Sequence, residues 1–169
     1  MTTFRIALSD RQTSIKVSVR YASLLRRAVR AVFRDAAVNA PPQGPYVRRR
    51  VLMDIALVDD RTSHQVNVDF LGHDFPTDVI SFPLEDDGET LVGELVVNTG
   101  YAARWAQEYG WPATHELVLY VIHGSLHLAG HDDHTDSEIS AMRRAERRIL
   151  EELHLRIPPT MPQSPEFPG

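Results

Sequence analysis

Two histidines stand four residues apart in the segment from His123 to His134, which reads HGSLHLAGHDDH. Residues with this spacing lie on one face of an α-helix, one turn above the other. His123 and His127 could therefore offer two imidazole nitrogens to one cation, with a third ligand coming from elsewhere in the chain. The alternative is an apolar helix with two hydrogen-bonded core histidines. The further ligand types just beyond the pair favour a metal site.

Gly130 follows this pair, and glycine readily ends a helix in a left-handed turn. Such a turn would fold the chain back, so that either Asp133 or His134 meets the metal. The sequence contains no cysteine, which excludes thiolate ligands, cysteine nucleophiles and disulfides. The segment therefore predicts two histidine ligands and one oxygen or nitrogen ligand.

Gly124 argues against a metalloprotease at the predicted metal site. Metalloproteases carry a glutamate directly after the first histidine, where it is the general base, and a glycine cannot take that part. Three protein ligands and one open position for water are typical of catalytic zinc. Zinc lowers the pKa of its water from about 15.7 toward roughly 7, which supplies hydroxide at neutral pH. We therefore expect a hydrolase with one Zn²⁺ per chain.

The elements that must position these residues are predicted from hydrophobic spacing. Three- and four-residue intervals predict an amphipathic helix near residues 20–38 and a last helix from about Ser137. On this last helix, Ile139 and Met142 belong to the apolar side, and Glu138 and Glu146 are expected to be surface charges. Strands are predicted at Val51–Val58, Asp78–Phe82 and Glu94–Val97, and further helices at Thr99–Tyr109 and from Pro112 to Gly130.

Strands in the middle of the chain, with helices before and after, predict an α+β fold: a small mixed sheet packed with helices. The length of 169 residues fits one domain, which we place at residues 1–157. The metal site would lie on its central helix. Asn39–Pro45 is a predicted loop, and residues 158–169 carry five prolines and are predicted to be a disordered tail.

Charge and targeting signals limit the function further. The formal net charge of −5 gives no sign of a basic nucleic-acid-binding domain, although arginines cluster locally. These clusters, either solvated faces or RNA contacts, are Arg26, Arg27, Arg30 and Arg34; Arg48–Arg50; and Arg143, Arg144, Arg147 and Arg148. No signal peptide is visible, and the longest apolar run, residues 117–130, is too short for a bilayer. We expect a cytoplasmic protein without a membrane partner.

Three stretches together resemble the YbeY family of rRNA maturation endoribonucleases. They are the histidine segment; Ile55–Leu84, which resembles the family's strand, helix and PTDVISF loop; and Leu91–Asn98, which reads LVGELVVN. The resemblance implies a zinc-dependent, single-strand-specific endoribonuclease with a zincin-like metal helix. Its substrate would be precursor ribosomal RNA, in maturation of the small subunit and ribosome quality control. Small-subunit ribosomal proteins and an assembly GTPase are the partners that the resemblance suggests.

Two positions depart from the family pattern. The third family histidine falls ten residues after the first, where this chain has Asp133, with a histidine one place later at His134. We expect Asp133 to be the third ligand, with His134 as the alternative. In the loop where many members carry an arginine for RNA phosphate, this chain has Leu71. His73 could take over part of that role, or only hydrogen-bond within its own loop.

The resemblance also suggests other site residues. Thr77, Asp78 and Ser81 either shape a substrate groove or satisfy turn backbone. Glu94, where the family places an acid, and Asp132 are the candidates for proton transfer. Trp105 and Trp111 are expected to pack against the core rather than stack on bases.

Two other functions stay open from the sequence. One is a zinc-containing ribosome-assembly factor that binds RNA without cutting it. The other is a metal hydrolase acting on a small molecule or peptide.

Overall fold

The computed structural model describes residues 1–35 and 50–157. The predicted loop at Asn39–Pro45, the tail at 158–169, and Arg48 and Arg49 lie outside these residues. The described strands are β1 Thr3–Asp10, β2 Arg50–Val58, β3 Val79–Asp86 and β4 Thr90–Asn98. The described helices are α1 Val19–Arg34, α2 Asp60–Leu71, α3 Thr99–Tyr109, α4 Ala113–Leu128 and α5 Asp136–Glu152.

The four strands form one mixed sheet in the order β1-β2-β4-β3. β1, β2 and β4 run parallel, while β3 pairs antiparallel with β4 and forms an edge. The predicted α+β class with a small mixed sheet and helices is confirmed. β1 was not predicted, and α2 was expected only from the family resemblance.

The two faces of the sheet are covered differently. On one face, α4 lies against β4, because Leu95 reaches Gly124 and a Cβ on Gly93 would meet Leu128. On the other face, Val58, Ile80 and Val96 pack with Val66 of α2. α4 is apolar on nearly all sides, as expected for a helix enclosed by the core. It is therefore the central helix of the fold.

The helix ends follow local capping chemistry. Ser18 caps α1, and Asp35 adopts an extended backbone, so this helix stops before the predicted residue 38. α4 begins one residue after Pro112, which is its N-cap. Thr135 and Glu138 form a reciprocal capping box at the start of α5, while Ile139 is 41% exposed rather than buried. Among the described residues, no helix combines the length and apolarity needed to cross a bilayer.

Candidate metal centre

The two histidines of α4 lie side by side on one face of the helix, as their spacing predicts. The Nε2 atom of His123 is 3.0 Å from the Nε2 atom of His127. His123 is 9% exposed, and the His127 side chain is 29% exposed. The two nitrogens therefore meet at a partly accessible point beside the core.

The outer nitrogen of each ring has a partner that accepts a hydrogen bond. His123 Nδ1 lies 2.7 Å from Oε1 of Glu146, and His127 Nδ1 lies 3.1 Å from the backbone oxygen of His131. A carboxylate and a carbonyl can only accept, so each Nδ1 carries the hydrogen. Both Nε2 lone pairs then point at the same space, which is the tautomer that binds a metal.

Glu146 corrects an expectation from the sequence. It is not a surface charge: its side chain is fully buried, on the third turn of α5, between α5 and α4. Arg143 donates to its Oε2 atom at 3.0 Å, so the carboxylate is held from both sides. The apolar neighbours Met142, Ala145 and Ile149 already placed Glu146 beside the buried stripe, a signal that the sequence reasoning missed.

Gly130 turns the chain back toward the histidines, as predicted. Its φ is +102°, in the range that favours glycine. The His131 N–H donates to the oxygen of Leu126, and the Gly130 N–H donates to that of His127. These hydrogen bonds end the helix and direct the following residues back across the face of α4 that carries the two histidines.

Asp133 is the residue that this turn delivers to the pair. Its Oδ2 atom lies 3.5 Å from His123 Nε2 and 3.7 Å from His127 Nε2. His134 points elsewhere, since its side chain is 81% exposed and its Nε2 lies 3.1 Å from Oδ1 of Asp132. Asp132 is half exposed at the rim, where its Oδ1 also accepts the Asp133 N–H.

The three inner donor atoms suit a zinc ion in number, type and spacing. His123, His127 and Asp133 each offer one ligand atom, and all three atoms lie within 4.8 Å of one another. Ligands of one tetrahedral zinc at 2.0–2.1 Å are about 3.3 Å apart, close to the separations found here. This group could therefore hold a metal, with Glu146 and the His131 carbonyl orienting the rings.

The electrostatics of the two histidines differ. Burial lowers the pKa of His123, but the hydrogen bond and charge of Glu146 outweigh it, with help from Asp78 and Asp133, and raise that pKa. Burial and the neighbouring His123 charge lower the pKa of His127. The site thus resists holding two protonated rings, and two neutral rings are the form that a metal requires.

Gly124 lets α4 approach the sheet. A Cβ at this position would lie 2.9 Å from side-chain atoms of Val79, Ser81 and Leu95. A glutamate, as in the metalloproteases, therefore has no room here without moving the helix. Ser81 uses this close approach to donate from Oγ to the Gly124 oxygen at 3.1 Å.

Thr77 and Asp78 stand where the chain enters β3. Asp78 Oδ1 accepts from Thr77 Oγ1 and from the Val79 N–H, and Thr77 is buried. These bonds, like that of Ser81, satisfy local backbone and side-chain groups. Asp78 is also close enough to His123 to affect the histidine's pKa. Of the three residues, Ser81 contacts α4 directly, through the Gly124 oxygen.

Two residues expected at the site lie apart from the histidine pair. Because Leu95 is on the α4 face, its neighbour Glu94 must point to the opposite face of the sheet, and the structure does not bring it to the histidines. His73 is exposed in the loop before β3, where its ring stacks on Phe75. Leu71 is 48% exposed at the end of α2.

A second buried acid lies two turns before His123 on α4. Glu116 is 1% exposed and accepts from Nε1 of Trp111 at 2.5 Å. Burial raises the pKa of Glu116 to about 7, although hydrogen bonds with Tyr120 and Trp111 oppose this shift. Trp111 is buried and Trp105 packs against the core, which confirms the expected packing of both rings.

The fold and the site define a class: an α+β domain with a candidate metal centre on its central helix. A family model described as endoribonuclease YbeY matches residues 7–154. The chain belongs to the YbeY endoribonuclease family.

Individual relatives agree with this assignment. Endoribonuclease YbeY of Rhodopirellula baltica is 43% identical over 106 residues, covering 62% of this chain and 55% of the relative. Endoribonuclease YbeY of Pelotomaculum thermopropionicum is 29% identical over 157 residues, covering 89% of this chain and 97% of the relative. The solution structure of TM1509 from Thermotoga maritima is similar, with a TM-score of 0.57, 27% identity and 89% of each chain covered.

Proposed function

We propose that this chain is a zinc-dependent endoribonuclease that cuts single-stranded segments of precursor ribosomal RNA in the cytoplasm. Its role would be maturation of the small subunit and ribosome quality control. Small-subunit ribosomal proteins and an assembly GTPase are its proposed partners. The family membership supports the RNA substrate, and the family relatives carry the name endoribonuclease.

The observation that carries this proposal is the convergence of three ligand atoms. His123, His127 and Asp133 are the proposed zinc ligands, because their donor atoms lie within 4.8 Å and the two ring tautomers suit a metal. A zinc ion held by these residues would supply Lewis acidity, which could activate water at neutral pH and stabilise charge developing on phosphate. The partly exposed side of His127 leaves this point open to substrate.

The remaining chemistry falls to side chains at the rim. Asp132 is half exposed next to Asp133, and we assign its carboxylate the role of accepting the proton from the attacking water. We assign Asp78, Thr77 and Ser81 the role of shaping the substrate groove on the side toward β3, where Ser81 contacts α4. Glu94 takes no part in this mechanism, because it lies on the opposite face of the sheet.

Arginines of α5 supply the contact with the RNA backbone in this proposal. Arg144 and Arg147 are exposed on the helix that carries Glu146. Others in the clusters have structural partners: Arg26 donates to the Ile6 oxygen, and Arg148 pairs with Asp35. Phosphate contacts weaken as salt rises, so the affinity for RNA should fall between about 50 and about 200 mM salt.

The experiment that tests the proposal uses a small-subunit ribosomal RNA precursor with a single-stranded extension. The zinc-loaded protein is incubated with this RNA and, in parallel, with the same RNA annealed to a complementary strand. We expect cleavage within the unpaired extension and protection of the annealed RNA. Binding without cleavage of either RNA would contradict the proposal and favour an assembly factor.

A further inference from the structure

The loop between α2 and β3, residues 72–77, presents aromatic rings to solvent. His73 is exposed and lies nearly parallel to Phe75, with ring centroids 5.3 Å apart and an interplanar angle of 11°. Just before the loop, Phe70 is 70% exposed and contacts the ring of Phe82 edge-on. We call His73, Phe75 and Phe70 the aromatic platform.

Buried polar side chains hold this loop in place. Ser63 and Asn98 both donate to the Thr77 oxygen at 3.1 Å, and Asn67 donates to the Phe75 oxygen at 2.7 Å. Each of these three donors is at most 1% exposed. His64 adds an ion pair or hydrogen bond to Asp74 at 2.7 Å. The platform is therefore preorganised, which reduces the entropy that a ligand must spend to bind it.

The aromatic platform lies on the α2 face of the sheet, since Phe70 contacts Phe82, and its loop leads into the edge strand β3, which also contacts α4. Its loop continues directly into Asp78, whose charge reaches His123, and then into Ser81, which bonds the Gly124 oxygen on α4. A strand of RNA that crosses this edge of the sheet to reach the metal centre would pass the loop.

The charge of the segment from residue 69 to residue 78 determines whether it can contact the phosphates or the bases of RNA. From residue 69 to residue 78 the chain carries Asp69, Asp74 and Asp78 but no lysine or arginine. A phosphate would be repelled there, and Leu71 offers it no donor. A nucleobase is uncharged and has a flat face, which stacks well on an aromatic ring.

We infer that the aromatic platform binds an unpaired nucleobase of the substrate by stacking on the exposed His73 ring, which Phe75 supports from behind. Phe70, exposed just before the loop, offers a further ring. This inference rests on the proposed function and deepens it. A base inside a duplex has both faces covered by its neighbours, so a stacking site of this kind selects single-stranded RNA.

A fluorescent base tests the inference directly. The probe is a single-stranded oligoribonucleotide carrying 2-aminopurine, whose fluorescence is quenched by stacking. Binding is measured in the His127→Ala background, so that the RNA stays intact. The test variants are His73→Leu and Phe75→Leu, which keep an apolar side chain without a ring, and Phe75→Tyr, which keeps the ring. Phe4→Leu, on the opposite edge strand β1, is the matched control.

We expect quenching with the parent protein, Phe75→Tyr and Phe4→Leu. Each ring-to-leucine change in the platform should abolish quenching and weaken binding about tenfold. The ratio between parent and variant affinities should stay constant from about 50 to about 200 mM salt, because no phosphate contact is lost. In cleavage assays on the otherwise native protein, the same changes should raise KM more than they lower kcat.

Different results would distinguish a failure of this inference from a failure of the proposed function. If the His127→Ala parent binds RNA and the native protein cuts it, but the leucine variants quench and bind equally well, the inference is wrong while the proposed function stands. If the His127→Ala parent does not bind RNA and the native protein does not cut it, the proposed function is wrong and the inference falls with it. Quenching that depends on the rings in a protein that does not cut RNA would support the platform and contradict only the nuclease.

Discussion

At the residue scale, two neighbouring side chains, Asp133 and His134, compete for the position of the third metal ligand. Asp133 Oδ2 lies within 3.7 Å of both histidine Nε2 atoms, whereas His134 is 81% exposed and turned toward Asp132. We predict that Asp133→Asn loses most of its bound zinc and that His134→Ala keeps it. Zinc content after dialysis measures this. Loss of zinc in the His134 variant alone would overturn the assignment.

Glu146 gives a second prediction, because it fixes the ring of His123 without touching the metal position. Glu146→Gln keeps the size of the side chain but removes the charge that orients His123 and pairs with Arg143. Zinc affinity should fall about 10- to 100-fold, measured by competition with a chelator. Glu151→Gln, exposed near the end of the same helix, is the control and should bind zinc normally. An unchanged affinity in Glu146→Gln would exclude this orienting role.

The sequence predicts the metal ligands more readily than the residues that orient them. The four-residue spacing and Gly130 are local signals, so His123, His127 and the turn that delivers Asp133 could be anticipated. Glu146 lies 23 residues from His123, and their contact depends on how α5 packs on α4. Glu94 could not be excluded from the site by sequence alone. The face of the sheet to which a strand residue points is known only once its packing partners are known.

At the element scale, the close packing of α4 on the sheet depends on Gly124. Alanine normally favours a helix over glycine by about 1 kcal/mol. Here its Cβ would overlap Val79, Ser81 and Leu95, all at 2.9 Å, and such overpacking costs about 1–3 kcal/mol. We predict that Gly124→Ala lowers the free energy of unfolding and weakens zinc binding, because both histidines move with the helix.

Denaturant unfolding and a zinc titration measure these two effects. Ser140→Ala, at an exposed position of α5, is the control for helix propensity and should not destabilise the protein. A Gly124→Ala protein that is as stable as the parent and binds zinc as tightly would show that the contact is looser than described.

The acid at the start of α4 predicts a pH dependence. Glu116 has a folded-state pKa of about 7 against an ordinary value of 4.5, mainly because it is buried. Between these values the unfolded state binds fewer protons than the folded state, so stability falls as pH rises from about 4.5 to about 7 and this contribution is then constant. The loss is at most about 3 kcal/mol. Unfolding experiments across this range should show a shallower slope for Glu116→Gln, and an identical slope would refute the assignment.

Element boundaries were predicted where the signal was local. Gly110 ends α3 and Gly130 follows α4 with positive φ, as their residue types indicate. β1 was not predicted, although Phe4, Ile6 and Leu8 alternate with more exposed residues, the two-residue period that is typical of a strand. β3 extends beyond the predicted residues into the polar Glu85 and Asp86, and β4 begins at Thr90, four residues before its predicted start.

At the scale of the whole molecule, the order of the strands could not be predicted from this sequence alone. β1 and β2 pair in parallel across α1, and β4 then inserts between β2 and β3. Such pairings depend on long-range packing of α1 and α4 rather than on local propensity. The fold class needed only the succession of elements, and for that reason it could be predicted.

We propose that RNA cleavage depends on the candidate metal centre on α4. The decisive measurement is cleavage of the single-stranded precursor by three samples: intact protein, chelator-treated protein with stepwise return of zinc, and His127→Ala. His154→Asn, a histidine change at the far end of α5 that tolerates the local positive φ, is the control. We predict cleavage by the intact and control proteins, none by His127→Ala, and recovery of the chelated sample at one zinc per chain. Equal cleavage by His127→Ala, or cleavage that ignores chelation, would contradict the account.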